Sequence, residues 1–145
     1  MENEQTIKAI PTRYEGVTFR SRLEARWALF FDAIGTAWEY EPQGYDLGDG
    51  MWYLPDFWIP EWGCYVEIKP TVENTGALVL ASMLAEQSRK GVIVIMGYPN
   101  HDQYSITYFD PDGVDGVKTR WDGMQFGQCR DLDCLGIWLV GDDLG

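Results

Sequence analysis

Leu23, Trp27, Phe30, Phe31 and Ile34 recur at the three- and four-residue spacing that lines one face of a helix. Ser21 before them and Gly35 after them supply a start and a stop, so the pattern predicts a first helix over 21–35. TAWEYEP then reads as a short strand, broken by Pro42 and the glycine-bearing loop QGYDLGDG. MWYLPDFWI and CYVEIK are two apolar runs on either side of Pro60-Glu61-Trp62-Gly63, whose turn chemistry predicts a hairpin. The Ala-, Leu- and Met-rich segment GALVLASMLAEQSRK predicts a second helix, ended by Gly91. VIVIMG has the wholly apolar character of a strand covered on both faces, and YSITYF predicts one more.

The order helix, strand, strand, strand, helix, strand predicts an α/β fold: a mixed β-sheet flanked by helices. The helix between CYVEIK and VIVIMG implies that these two strands are parallel neighbours. Residues 1–145 are expected to form one domain, with 111–145, rich in Asp and Gly, a loop-rich extension.

Three charges fit this pattern poorly. Asp56, Glu67 and Lys69 fall inside the apolar runs, where an unpaired charge is costly enough that it is normally paired, ligated to a metal or left at a wet edge. Alternation along CYVEIK puts Tyr65, Glu67 and Lys69 on one face and Cys64, Val66 and Ile68 on the other. Pro55 suits an edge or a bulge, which could turn Asp56 towards Glu67. Two carboxylates so close repel unless a cation lies between them, and hard oxygen ligands suit Mg²⁺ or Mn²⁺. A lysine beside them can orient or help deprotonate a water, which together with the ion is sufficient for phosphodiester hydrolysis.

Pro-Asp at 55–56, ten intervening residues and Glu-Ile-Lys at 67–69 resemble the PD-(D/E)XK nuclease superfamily, most closely its compact phage junction-resolving and transposon-end-cleaving endonucleases. The predicted element order over about residues 15–97 is also similar to that family's restriction-endonuclease-like αβββαβ core. The resemblance implies a metal-dependent endodeoxyribonuclease acting in recombination, repair, restriction or phage DNA processing. It implies Asp56, Glu67 and the backbone carbonyl of Ile68 as ligands of Mg²⁺ or Mn²⁺, Lys69 as the residue that orients the water, and Glu24 as a further acid. Glu24 also fits a capping box with Ser21, in which it reaches back to the Ser21 backbone. Two features depart from the family's habits: Pro70 after the lysine, and the chain's acidity.

Charge narrows the expected partners. The formal charge is −12, yet residues 1–40 hold Lys8, Arg13, Arg20, Arg22 and Arg26, the one concentrated basic region. Arg20, Arg22 and Arg26 are therefore the candidate contacts to DNA, duplex or branched. The acidity implies a narrow contact surface or a protein partner that supplies DNA affinity, and junction-resolving relatives work as homodimers. It also motivates an alternative: a non-catalytic acidic protein with a nuclease-like fold that occupies another protein's DNA site. Trp27, Phe30, Phe31, Trp38, Trp52 and Trp58 are expected in the core, and Trp62, at the hairpin tip, exposed. Gln87 and His101 are expected at the surface. Cys64, Cys129 and Cys134 have no framework spacing, so reduced thiols are expected and a zinc site is disfavoured. With no membrane-length apolar run and no secretory signal, a soluble cytoplasmic chain is expected.

Overall fold

The computed structural model describes residues 10–70, 75–99, 104–114, 117–128 and 137–141. His101, Cys129, Cys134, Asp142 and Asp143 lie outside them.

The main sheet is mixed, with seven strands in the order β11-β10-β9-β8-β7-β6-β3. These are β3 (Glu39–Tyr40), β6 (Phe57–Ile59), β7 (Cys64–Lys69), β8 (Gly91–Gly97), β9 (Tyr104–Val114), β10 (Val117–Gln128) and β11 (Ile137–Gly141). Strands β7 and β8 pair in parallel, with Glu67 opposite Val94 and Lys69 opposite Met96, and the other pairings in this sheet are antiparallel. Helix α2 (Thr75–Ser88) makes the crossover that parallel neighbours require. Two small hairpins stand apart from this sheet: β1 (Thr12–Tyr14) with β2 (Val17–Phe19), and β4 (Tyr45–Asp46) with β5 (Trp52–Tyr53).

Strand alternation divides the core between the two helices. Cys64, Val66, Ile68, Ile93 and Ile95 pack with Ala25, Trp27, Ala28 and Phe31 of helix α1 (Arg22–Ala33). Tyr65, Val92, Val94 and Met96 pack with Ala81, Leu84 and Ala85 of α2. Strand β8 is buried along its whole length because one helix covers each face, as its unbroken apolar sequence predicts.

Three departures from the expected elements have local causes. The run MWYLPDFWI is divided: Leu54-Pro55-Asp56 interrupts it, so Trp52 and Tyr53 join the β4–β5 hairpin while Phe57–Ile59 pairs with β7. Where a loop-rich extension was expected beyond residue 110, β9 continues to Val114 and two more strands follow. The alternation of β10 is concealed in the sequence by an irregularity between Trp121 and Met124 that shifts its register against β9. The β1–β2 hairpin was not expected at all, although Glu15 and Gly16, both at positive φ (53° and 78°), form the two-residue turn such hairpins favour.

Two tryptophans exchange their expected positions. Trp52 is 69% exposed, its indole packed against Gly44, where an added Cβ would stand 2.1 Å from the ring. Trp62 is half-buried and meets Phe31 edge-on at 5.8 Å. The other five aromatics expected in the core, Trp27, Phe30, Phe31, Trp38 and Trp58, are buried or half-buried, and Gln87 is exposed as expected.

Candidate active site

Four chain segments meet where β6 begins beside the C-terminal half of β7. The interruption at Pro55 leaves Asp56 just ahead of the paired strand, free to turn inward, and it is only 1% exposed. Its Oδ2 accepts the Ile68 backbone N–H at 2.8 Å, and its own N–H donates to Glu67 Oε1 at 3.3 Å. Glu67 is 5% exposed, and its Oε2 pairs with Lys69 Nζ at 3.1 Å. The acids expected to converge are therefore joined through each other's backbone and side chain, and the lysine lies on the second of them.

Arg20 enters this cluster from the end of β2. Its Nη2 donates to Asp56 Oδ1 at 2.9 Å, while its Nε pairs with Glu41 at 2.8 Å. One guanidinium thus bridges an acid of the buried pair to one at the rim. Arg22 and Arg26 are exposed on α1, with the Arg26 guanidinium over the Tyr98 ring at 5.5 Å. The three arginines grouped as DNA contacts are thus all exposed, and Arg20, its side chain 58% accessible, is the one whose guanidinium reaches a buried acid.

Glu24 occupies a third position. Ser21 caps α1, its Oγ accepting the Glu24 N–H at 3.1 Å, but Glu24 does not complete the reciprocal box with the Ser21 backbone. Its Oε1 instead accepts the Arg20 N–H at 3.2 Å and the Tyr40 hydroxyl at 2.6 Å. At 7% exposure it is close enough for its charge to act on Asp56.

The electrostatics follow from this crowding. Burial pushes the Asp56 carboxyl well above the ordinary carboxylate range, and the charges of Glu67 and Glu24 push it further, against the Ile68 N–H and Arg20. Burial likewise raises Glu67, opposed first by Lys69. Between the ordinary carboxylate pKa and these raised values, the folded protein holds protons that the unfolded chain has released. Stability without metal must therefore fall as pH rises through that window. The penalty is absent below about pH 4 and complete above the raised values. We expect the Tm of wild-type protein in EDTA to decline over this range and Asp56→Asn to flatten the decline, by a few degrees at neutral pH. Equal slopes for the two proteins in scanning calorimetry would contradict this account.

The donor set fits a hard divalent ion held by few protein ligands. Among the described residues no three His, Cys, Asp or Glu side chains are grouped as a ready-made metal cage. Mg²⁺ does not demand one, since it is ordinarily held by one or two carboxylates and keeps several waters. Asp56 and Glu67 supply two, and the mutual cost of their charges is what a cation between them relieves. Cys64 is a free, buried thiol whose pKa burial pushes up to about 11, the state of an inert core cysteine.

Tyr40, Glu41 and Tyr53 belong to the same cluster and were not singled out in the sequence. Tyr40 and Glu41 lie in the short EYEP stretch, whose alternating charge gave no sign of which side chains turn inward. Comparisons with protein-family models, with curated proteins and with solved structures return no match. Among the described residues, no helix is long and apolar enough to cross a membrane.

Proposed function

We propose that this protein is a divalent-metal-dependent DNA endonuclease with a restriction-endonuclease-like core. The observation that carries the reading is the buried Asp56–Glu67 pair with Lys69 on its outer oxygen. Folding tolerates two raised carboxyls in one pocket only at a cost in stability, and chemistry at that point is the simplest reason to keep them.

In this reading Asp56, Glu67 and the Ile68 carbonyl hold Mg²⁺ or Mn²⁺, which when bound supplies Lewis acidity at the scissile phosphate. Lys69, half-buried and anchored on Glu67, orients the attacking water and offsets charge that develops on the phosphate. Glu24, fixed by Tyr40 and the Arg20 backbone, completes the acidic wall. Arg22 and Arg26 lie on the exposed face of α1, where a phosphate backbone relieves their mutual repulsion. Plain duplex and branched DNA are both candidate substrates.

The test is a supercoiled plasmid and a four-way junction, each incubated with purified protein and Mg²⁺ or Mn²⁺. We expect nicking or junction cleavage that EDTA abolishes. Absence of cutting on both substrates with both ions would reject the reading.

A second reading rests on Arg20. Its guanidinium already provides Asp56 with a cationic partner, as a protein that had given up its metal would need. Such a protein would use its acidic surface to occupy a partner's DNA site, and it would bind neither ion.

A further inference from the structure

Each acid of the buried pair divides its two oxygens in the same way. Asp56 Oδ2 accepts the Ile68 N–H at 2.8 Å and Glu67 Oε1 accepts the Asp56 N–H at 3.3 Å, so one oxygen of each is held by backbone. The other oxygen of each is capped by a cation: Asp56 Oδ1 by Arg20 Nη2 at 2.9 Å, and Glu67 Oε2 by Lys69 Nζ at 3.1 Å. Two carboxylates and two cationic side chains thus balance one another.

That balance obstructs the ion for which the acids are suited. Oδ1 is the Asp56 oxygen that the backbone leaves over, and a guanidinium already lies on it. A carboxylate oxygen can accept more than one partner, but a dication sharing this one would stand in near contact with a fixed positive charge. Like charges so close repel strongly where water is scarce. One cation has to yield, and the two differ in their freedom to do so. The Arg20 side chain is 58% accessible, against 32% for Lys69. Arg20 also has a second acid to stay on, since its Nε pairs at 2.8 Å with Glu41 at the rim.

We infer that Arg20 is an internal competitor of the divalent ion. Its guanidinium occupies Asp56 Oδ1 while the site is empty, and gives up that oxygen, staying on Glu41, when the ion binds. This inference rests on the metal-dependent reading of the site. It makes Arg20 the regulator of that site: the arrangement able to take an ion is the one with the Arg20–Asp56 pair open, so apparent metal affinity is lowered by the fraction of molecules in which the pair is closed.

Arg20→Ala reads this by the sign of its effect. Removing a residue that only braces the acids weakens metal binding, whereas removing a competitor strengthens it. Titration calorimetry with Mg²⁺ at neutral pH should give the variant a dissociation constant lower than wild type by about fivefold or more. In EDTA the variant should melt below wild type, because buried Asp56 has lost its counter-charge, and its Mg²⁺-induced gain in Tm should be the larger of the two. Arg13→Ala removes the same charge from the exposed position on β1 and should bind Mg²⁺ as wild type does. An equal tightening there would reduce the effect to net charge and overturn the inference. Arg20→Gln is expected to act in the same direction as Arg20→Ala and replaces it if the alanine variant does not fold. Unchanged or weaker Mg²⁺ binding by the Arg20 variants would overturn the inference while leaving the metal site standing. If neither wild type nor the Arg20 variants take up Mg²⁺ or Mn²⁺, the metal-dependent reading itself falls, and this inference with it.

Discussion

Lys69→Ala is expected, on the nuclease reading proposed above, to give a folded protein that cuts DNA at least a hundred-fold more slowly than wild type. Lys69 lies at the end of β7 with its ammonium on the buried Glu67 Oε2, so its removal leaves that carboxylate without its counter-charge and lowers stability as well, which the folding control must register. Its chemical loss is larger, because a positioned group that handles the attacking water contributes about 10²–10⁴ in rate. On the same reading Glu67→Gln should be comparably damaging for a different reason: the amide oxygen can still accept the Asp56 N–H, but the charge proposed to hold a cation is gone. Initial nicking rates of supercoiled plasmid, with circular dichroism to confirm folding, decide the matter. A Lys69→Ala rate within threefold of wild type would remove the lysine from the chemistry.

Trp27→Ala is expected to bring the protein to the edge of unfolding. Trp27 is fully buried, and its indole N–H donates to the Gly97 carbonyl at 2.9 Å, fastening α1 to the end of β8. Its ring also meets Phe30 and Tyr104 edge-on at 5.2 and 5.3 Å. Truncating such a side chain costs about 3–5 kcal/mol, against a total stability of about 5–15 kcal/mol for an ordinary domain. Trp27→Phe should recover a good part of the loss while forgoing the hydrogen bond, which contributes about 1 kcal/mol. Urea denaturation midpoints measure both, and a loss below about 1 kcal/mol for the alanine variant would show that α1 is held by other contacts.

How legible this was in the sequence depended on whether a residue's role is set by local spacing. Helix α1 was readable because its apolar stripe and its Ser21 cap are local, and β8 because an uninterrupted apolar run has few other uses. The convergence of Asp56 and Glu67 was readable because strand alternation and one proline constrain it. Arg20 was not: nothing in FRSRLEAR distinguishes the arginine whose guanidinium reaches the buried acid from Arg22 and Arg26. That choice is made by Asp56, 36 residues away, and by Glu41. Trp52 and Trp62 were misplaced for a similar reason. Tyr53 takes the inward position in the two-residue strand β5, leaving Trp52 outward, while Phe31 draws the turn residue Trp62 onto the core. The strands beyond residue 110 were hidden by glycines and aspartates that a long, register-shifted antiparallel pair absorbs.

Asp32, near the end of α1, receives the Tyr14 hydroxyl at 2.5 Å and the Trp38 indole N–H at 2.8 Å. The first hairpin is thereby strapped to the helix, and the strap ends at Arg20. A chain cut back to begin at residue 20 would retain both central acids and the lysine but lose the strand that anchors the Arg20 backbone ahead of α1. The pocket would then be left to neutralise itself from solution. The β1–β2 hairpin thus acts as a remote tether for the site's internal counter-charge.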